Sequence, residues 1–299
     1  MKEKRQVKPL KRFRNSQASH NTPLKRGVNE RENDGAVSRR VSRYRVGKGH
    51  RESADALARE EPLEIRVRGR SVAVTMRTPG HDRELAAGFL LTEGIVERRG
   101  DIVEIAPCLE GDAPQNTLNV FLSPAVEFDF EQLTRHVFAS SSCGLCGKAS
   151  IETVHRHFPP LESRATISAK TLAELPKRMK ESQRTFAETG GLHAAAIFTA
   201  NGKLVALRED VGRHNAVDKV LGHGFLGGAL PFYGHVLLVS GRASFEIVQK
   251  ALAARVPIVA AISAPTSLAV EFAEESGQTL IGFLRGETMN VYAGAERVR

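Results

Sequence analysis

Cysteine is scarce in this chain, and long apolar runs are missing. Three cysteines in 299 residues, an odd number, exclude a disulfide framework and point to a reducing compartment. No stretch approaches the roughly 18 consecutive apolar residues of a membrane-spanning helix. The best, VPIVAAISA at 256–264, is far too short. The N-terminal KEKRQVKPLKRFRNSQASHNTPLKR has no apolar core of the kind a secretory signal needs. These absences predict a soluble, cytoplasmic protein. Neither a GxGxxG fingerprint nor a Walker loop is present, so ordinary dinucleotide-binding and NTPase readings lose ground.

What is present supports a globular chain. Hydrophobic residues make up 41% and charged residues 26%, enough apolar material for a real core. The net charge of +9 is unevenly spread: residues 1–50 hold 15 Lys and Arg against 4 Asp and Glu, leaving 28 against 30 in the rest. The body is therefore no basic nucleic-acid binder. Residues 1–50 read as a basic, disordered tail or a start codon set too far upstream. The alternative, a polyelectrolyte arm for RNA, DNA or an acidic partner, has only Phe13 and Tyr44 as interleaved aromatics.

Order is expected from about Asp55. Leu63, Ile65 and Val67 alternate, Arg68-Gly69-Arg70 turns the chain, and Val72, Val74 and Met76 alternate again, the pattern of a hairpin with one buried face. A helix from Asp82 follows, with Leu85, Phe89 and Leu90 on one side. Strands DIVEIA and NTLNVFLS come next, then a helix marked by Phe130, Leu133 and Val137. A polar helix (TLAELPKRMKESQRTF) leads into the segment LHAAAIFTANGKLVALRED, a hairpin closed by Asn201-Gly202. Beyond it, helices over 214–222, 244–254 and 266–275 alternate with apolar strands HVLLVS, IVAAIS and TLIGFL, as in a parallel sheet covered on both faces. The expected fold is α/β: a basic tail over 1–50, a β-rich and helical N-terminal subdomain over 55–160, and a three-layer α/β/α unit over 165–299.

Chemistry concentrates in two places. Ser-Ser-Ser-Cys143-Gly144-Leu-Cys146-Gly147-Lys148 is a mobile dithiol. With no second cysteine pair a structural zinc site is poorly supported, and a helix before the pair departs from the thioredoxin pattern. A sulfur carrier fits: glycines give mobility, and Lys148 with a helix start lowers a thiol pKa. Cys108 stands alone and reads as inert. The second place is a set of strand-to-helix junctions: Asp210-Val-Gly212-Arg213-His214-Asn215, Ser240-Gly241-Arg242-Ala-Ser244 and Ser263-Ala-Pro265-Thr266-Ser267, with Arg285-Gly286 after the last strand. Singly each is a helix cap. Together, outside the carboxyl ends of strands, they predict a phosphate-rich ligand. His193 and His214 are supporting polar groups at the same edge.

At SSCGLCGKASIE, LREDVGRHNAVDKV, SGRASFEIVQKA and GFLRGETMNVY the sequence resembles the FdhD family of formate dehydrogenase accessory sulfurtransferases. The likeness extends to EEPLEIRVRGR and TMRTPGHDRELAAGFLLTEGI and runs from about Val41 to the end. It implies a cytidine-deaminase-like fold and transfer of sulfur, carried as a cysteine persulfide, from a cysteine desulfurase to the molybdenum or tungsten bis-guanine-dinucleotide cofactor (bis-MGD) of a formate dehydrogenase. On matching positions it implies Cys143 as the persulfide carrier, Cys146 as an assisting thiol, and Phe283, Leu284, Arg285, Gly286, Glu287 and Thr288 as cofactor contacts. Gly212, Arg213, His214, Gly241, Arg242 and Ser244 complete the expected cofactor-binding set. Deamination is not expected, because His193-Ala-Ala195 lacks the glutamate of H-x-E. A metal site in the protein itself is not expected, and a homodimer is. The competing readings are a non-catalytic bis-MGD escort and a dithiol oxidoreductase.

Overall fold

Alternate residues of the central strands belong to two different cores, which makes the sheet they form the middle of the molecule. In the computed structural model, which describes residues 35–108, 114–127, 130, 152 and 154–299, six strands run in the order β12-β11-β10-β9-β7-β8. They are β7 (His193–Thr199), β8 (Leu204–Asp210), β9 (His235–Val239), β10 (Ile258–Ala261), β11 (Thr279–Arg285) and β12 (Thr288–Ala293). Strands β9, β10 and β11 are parallel, and β7 runs antiparallel to β9. Ala195, Ile197, Leu237, Val259 and Ala261 face one core, while Ala194, Phe198, Val236, Leu238 and Ala260 face the other. The two-residue side-chain period of a strand and the burial of both faces account for the near-continuous apolar runs.

Helix α1 (Asp82–Thr92) comes early in the chain. It joins α4 (Arg213–Leu226), α5 (Phe245–Ala253) and α6 (Ser267–Glu275) on the first face of this sheet. The second face is covered by α2 (Ala169–Ser182), through Leu172, Leu175 and Met179. The polar helix expected from the sequence breaks at Gln183, after which α3 (Arg184–Thr189) follows. Three layers, α/β/α, are thus in place. The Asn201-Gly202 hairpin also forms as expected, with Gly202 at φ +79°.

A second, four-stranded sheet has the order β4-β3-β6-β5, from β3 (Glu61–Val67), β4 (Arg70–Arg77), β5 (Ile102–Pro107) and β6 (Thr117–Leu122). It is no extension of the six-stranded sheet. Its apolar face, with Leu63, Ile65, Val67 and Val120, packs into the same core as Leu85 and Leu90 of α1 and Val217 and Val220 of α4.

Two expectations are overturned. Val74 and Met76 do not lie on the buried face; they are exposed, while Ala73 and Arg77 turn inward. A register shift at Ile65/Arg66 is the cause, since one extra residue exchanges the two faces of a strand. Inside, Arg77 donates to both carboxylate oxygens of Asp82 at 2.9 Å, so its charge is paired. Secondly, ordered structure begins well before Asp55. Strands β1 (Ala36–Arg45) and β2 (Gly49–Ala58) form an antiparallel ribbon that starts inside the segment expected to be a tail. Neither strand buries a residue fully, so no hydrophobic alternation announces them. The helix expected around Leu133 and Val137 lies outside the described residues.

Candidate functional site

The pairing pattern sends every predicted junction to one edge of the six-stranded sheet. Strands β9, β10 and β11 end there; β7, running the other way, starts there at His193, which pairs with Asp210 at the end of β8. Residues from four separate segments therefore meet: Gly212 to Asn215, Ser240 to Ser244, Ser263 to Ser267, and Phe283 to Thr288. Carboxyl ends of strands with helix starts beside them are where open α/β sheets bind ligands.

Asp210 is the buried foundation of this edge. It accepts from Gly212 N at 2.8 Å, from Asn215 Nδ2 at 3.1 Å and from Thr78 N at 3.2 Å, and it pairs with Lys219 Nζ at 2.7 Å. Lys219 in turn donates to the Thr78 carbonyl at 2.7 Å, and Asn215 Nδ2 to that of Met76 at 2.8 Å. Both charges are almost wholly buried, so each needs the other and the surrounding hydrogen bonds. In the sequence Asp210 reads only as part of a cap. Lys219 and Thr78, far apart in the chain, give no signal there at all. The node's effect is to lock the turn that carries Arg213 and His214.

Those two side chains are set in contrasting environments. Arg213 lies close to Gly241: a methyl on that glycine would sit 3.5 Å from Arg213 Cδ and 3.4 Å from His193 Nδ1. The Arg213 Nε is buried and has no hydrogen-bond partner among the described residues. Burial, and then the charges of Arg213 and His214, hold the His193 imidazole below its ordinary range. His214 Nε2 instead meets Glu246 Oε2 at 2.8 Å and Ser244 Oγ at 3.4 Å. The bond from His214 is the main reason that the Glu246 carboxyl is held below the usual carboxylate range. Nothing in the sequence singles out Glu246 beyond its being an acid in the first turn of α5.

The other junctions are stitched to these. Ser240 Oγ accepts from Ala194 N at 2.9 Å, tying the β9 loop to β7. Ala243 bridges Pro265, and Thr266 caps α6 by accepting from Ala269 N. Ser244 stands at the N-cap position of α5 without a side-chain cap bond, its hydroxyl turned to His214. Arg242 is exposed.

In the last segment, β11 breaks register between Gly282 and Arg285, and Phe283 takes φ +51°. Its amide donates to the Ser263 carbonyl at 3.1 Å, which holds this strained residue in place. The bulge turns Phe283 and Arg285 outward; the Arg285 guanidinium lies 5.6 Å from the Phe283 ring centre, and its Nε donates to the Ile262 carbonyl. Gly286, at φ +54°, opens the two-residue turn to β12. Glu287 and Thr288 are exposed, whereas Leu284 is fully buried in the second core. Cys143 and Cys146, with Gly144, Gly147 and Lys148, lie outside the described residues. Cys108 is half-buried beyond β5, in the other sheet. The assembled edge offers three arginines and two histidines beside helix starts, a chemistry suited to phosphate groups.

Comparison with known proteins agrees in fold and in extent. The profile of the FdhD/NarQ family matches residues 58–299. The sulfur carrier protein FdhD of Streptomyces coelicolor is 50% identical over 276 residues, covering 89% of this chain and 92% of its own. That of Mycobacterium tuberculosis is 52% identical over 253 residues, covering 82% and 92%. Among solved structures, a protein of Desulfotalea psychrophila assigned as a formate dehydrogenase accessory protein superposes with a TM-score of 0.73 at 28% identity. It covers 89% of this chain and all of its own.

Proposed function

Because the chain belongs to the FdhD/NarQ family, we propose that it is a sulfur carrier that serves a formate dehydrogenase. In this reading the Cys143 thiolate attacks the outer sulfur of a persulfide on a cysteine desulfurase. The donor's sulfur–sulfur bond breaks, the donor cysteine leaves as a thiolate, and Cys143 carries the sulfane sulfur as its own persulfide. Cys146 is the assisting thiol. The acceptor is the bis-MGD cofactor destined for formate dehydrogenase, which is cargo and not a resident group.

The observation that carries the reading is the meeting of four separate junctions at one sheet edge. Bis-MGD brings two guanine dinucleotides and four phosphates. Arg213, Arg242 and Arg285, with the amides around Gly241 and Gly286, offer several anion contacts where a mononucleotide would need fewer. The buried Arg213 Nε, without a partner among the described residues, fits an incoming phosphate oxygen. The Asp210–Lys219 node keeps this turn rigid, and Glu246 holds His214 in place. A cytidine-deaminase-like fold is supported by the order β8-β7-β9-β10-β11, a hairpin followed by three crossover strands. No described helix is long and apolar enough to cross a membrane, and a cytoplasmic homodimer matches a cargo with two halves.

Peptide mass spectrometry after incubation with a cysteine desulfurase and cysteine tests the proposal. A one-sulfur adduct on the 143–146 peptide, lost in Cys143→Ala, is expected. A chain that binds bis-MGD but never takes the adduct is an escort, and the carrier reading falls.

A further inference from the structure

Strands β1 and β2 form a sheet of their own, and neither buries a residue fully. Ten residues in each give the ribbon a length of about 33 Å. Its base is tied down: the Arg59 amide donates to the Gly35 carbonyl at 2.8 Å, and Ala58 packs on Gly191. The tip is open, with Tyr44 78% exposed and Val46 wholly so.

All of the chain's basic excess lies in this ribbon and in the sequence that precedes it. Residues 1–35 hold ten Lys and Arg against four Asp and Glu, and residues 36–58 hold six against two, whereas residues 59–299 hold 27 against 28. Within the ribbon the charge is sorted by face. The register places Arg39 opposite Asp55, Arg43 opposite Arg51 and Arg45 opposite Gly49. Side-chain alternation then puts Arg39, Arg43, Arg45 and Arg51 on one face, with Asp55 as its one acid. The other face carries Arg40, the Ser42–Glu52 hydrogen bond and the Tyr44–His50 stack. Arg43 is paired with Asp55 at 2.9 Å, while Arg39, Arg45 and Arg51 have no ion pair among the described residues. Like charges directly opposite each other weaken a ribbon, so Arg43 facing Arg51 is a cost that a row of phosphates would remove.

We propose that the arginine face of β1–β2 docks in the major groove of double-stranded DNA. That groove, about 12 Å wide, admits a two-stranded ribbon, whose strands are about 4.8 Å apart. A ribbon of about 33 Å spans about one helical turn. Arginine is suited to both surfaces it would meet there, gripping phosphate oxygens or the guanine edge with two bonds. The ten basic residues of 1–35 add attraction that needs no defined geometry, because each phosphate neutralised releases a counterion. An acidic protein would require apolar or aromatic anchors at the centre of the contact. Between the Arg39–Asp55 and Arg45–Gly49 pairs this face exposes no large apolar side chain. Duplex RNA has a deep, narrow major groove that side chains do not enter. A second copy would set one arginine face against another. DNA docking uses none of the residues assigned to sulfur or to bis-MGD, so it goes beyond the sulfur-carrier reading and does not rest on it.

Fluorescence anisotropy of the full chain with a labelled DNA duplex of about 20 base pairs, two helical turns, tests the proposal. The wild type is expected to bind at low salt and to lose affinity as salt is raised. Arg39→Gln/Arg45→Gln/Arg51→Gln is expected to weaken binding by about tenfold or more and to flatten the slope of log affinity against log salt by about 2 to 3. Arg40→Gln, on the opposite face, is expected to bind as wild type. These side chains are exposed, so every variant should unfold at the wild-type temperature. With the ten Lys and Arg of residues 1–35 changed to Gln, binding is weaker throughout, but the triple ribbon variant still loses the same factor. No DNA binding by the wild type, an unchanged affinity in the triple variant or an equal loss in Arg40→Gln overturns the proposal. Equal affinity for duplex RNA of the same length overturns it as well, since charge alone would then suffice. Loss of binding to anionic lipid vesicles or to polyglutamate in the triple variant, with DNA affinity intact, assigns the face elsewhere and also overturns it.

Discussion

His193 shows how a single side chain at the sheet edge senses what lies beside it. Burial and the neighbouring Arg213 and His214 charges hold its imidazole below the ordinary range, so it is neutral at pH 7. As pH falls below the unfolded histidine value of about 6.5, the unfolded chain takes up a proton that the folded one resists, and this residue draws stability down. An anion on Arg213 removes the repulsion. Pyrophosphate is therefore expected to raise the His193 titration midpoint, followed by NMR of the imidazole ring. Arg213→Gln should raise it without pyrophosphate. A midpoint that moves in neither case would show that Arg213 does not grip phosphate here. Glu246 titrates in the opposite sense. Its lowered pKa contributes stability above the ordinary carboxylate range, and that contribution is lost as pH falls through the lowered value. Arg213 and His214 are legible as candidates because they stand at a strand-to-helix junction. Their partner Glu246 is not, because it belongs to another helix.

Among the elements, the crossing of α1 and α4 is the least tolerant contact. A methyl on Gly88 would lie 1.8 Å from the Asp218 carbonyl oxygen, and one on Gly222 would lie 1.9 Å from that of Glu84. Both obstacles are backbone, so neither can move without separating the helices. Gly88→Ala and Gly222→Ala are each expected to cost about 3 kcal/mol or more in chemical denaturation; a loss below about 1 kcal/mol would mean that the helices do not meet so closely. Around the crossing, Lys250 donates to Thr92 and to both oxygens of Asp218. Burial opposes the Lys250 charge, yet Asp218 and Glu93 raise its pKa, so the amine stays protonated. Arg208 holds Glu84 through two bonds nearby. Periodicity locates α1 and α4 in the sequence, but it carries no sign of which glycine faces which carbonyl.

For the whole molecule, the two cores share one sheet, whereas the ribbon shares neither. Hydrogen exchange should follow that division. Amides of β9 and β10, hydrogen-bonded to a strand on either side and covered on both faces, are expected to exchange only on global unfolding. Amides of β1 and β2 are expected to exchange orders of magnitude faster, because opening the ribbon exposes almost no apolar surface. Equal protection would require the ribbon to be covered in the free protein.

The order of amino acids is enough to dictate the alternation of helix and strand from residue 165 onwards, the hairpin at Asn201-Gly202, and the residues suited to anions. These are local properties: side-chain period, turn chemistry and the residue types at helix starts. The sequence sets the junctions at the carboxyl ends of strands, but which of them become neighbours is decided in the folded molecule, because strand order and direction follow from burial between distant segments. Long-range packing also sets the bulge that turns Val74 and Met76 outward, and another that turns Phe283 and Arg285 outward while Leu284 fills the core. It brings Lys219 to Asp210 as a charge partner. The ribbon is hidden from the sequence for a related reason. A strand that buries nothing fully leaves no hydrophobic pattern, and only its cross-strand pairing reveals it.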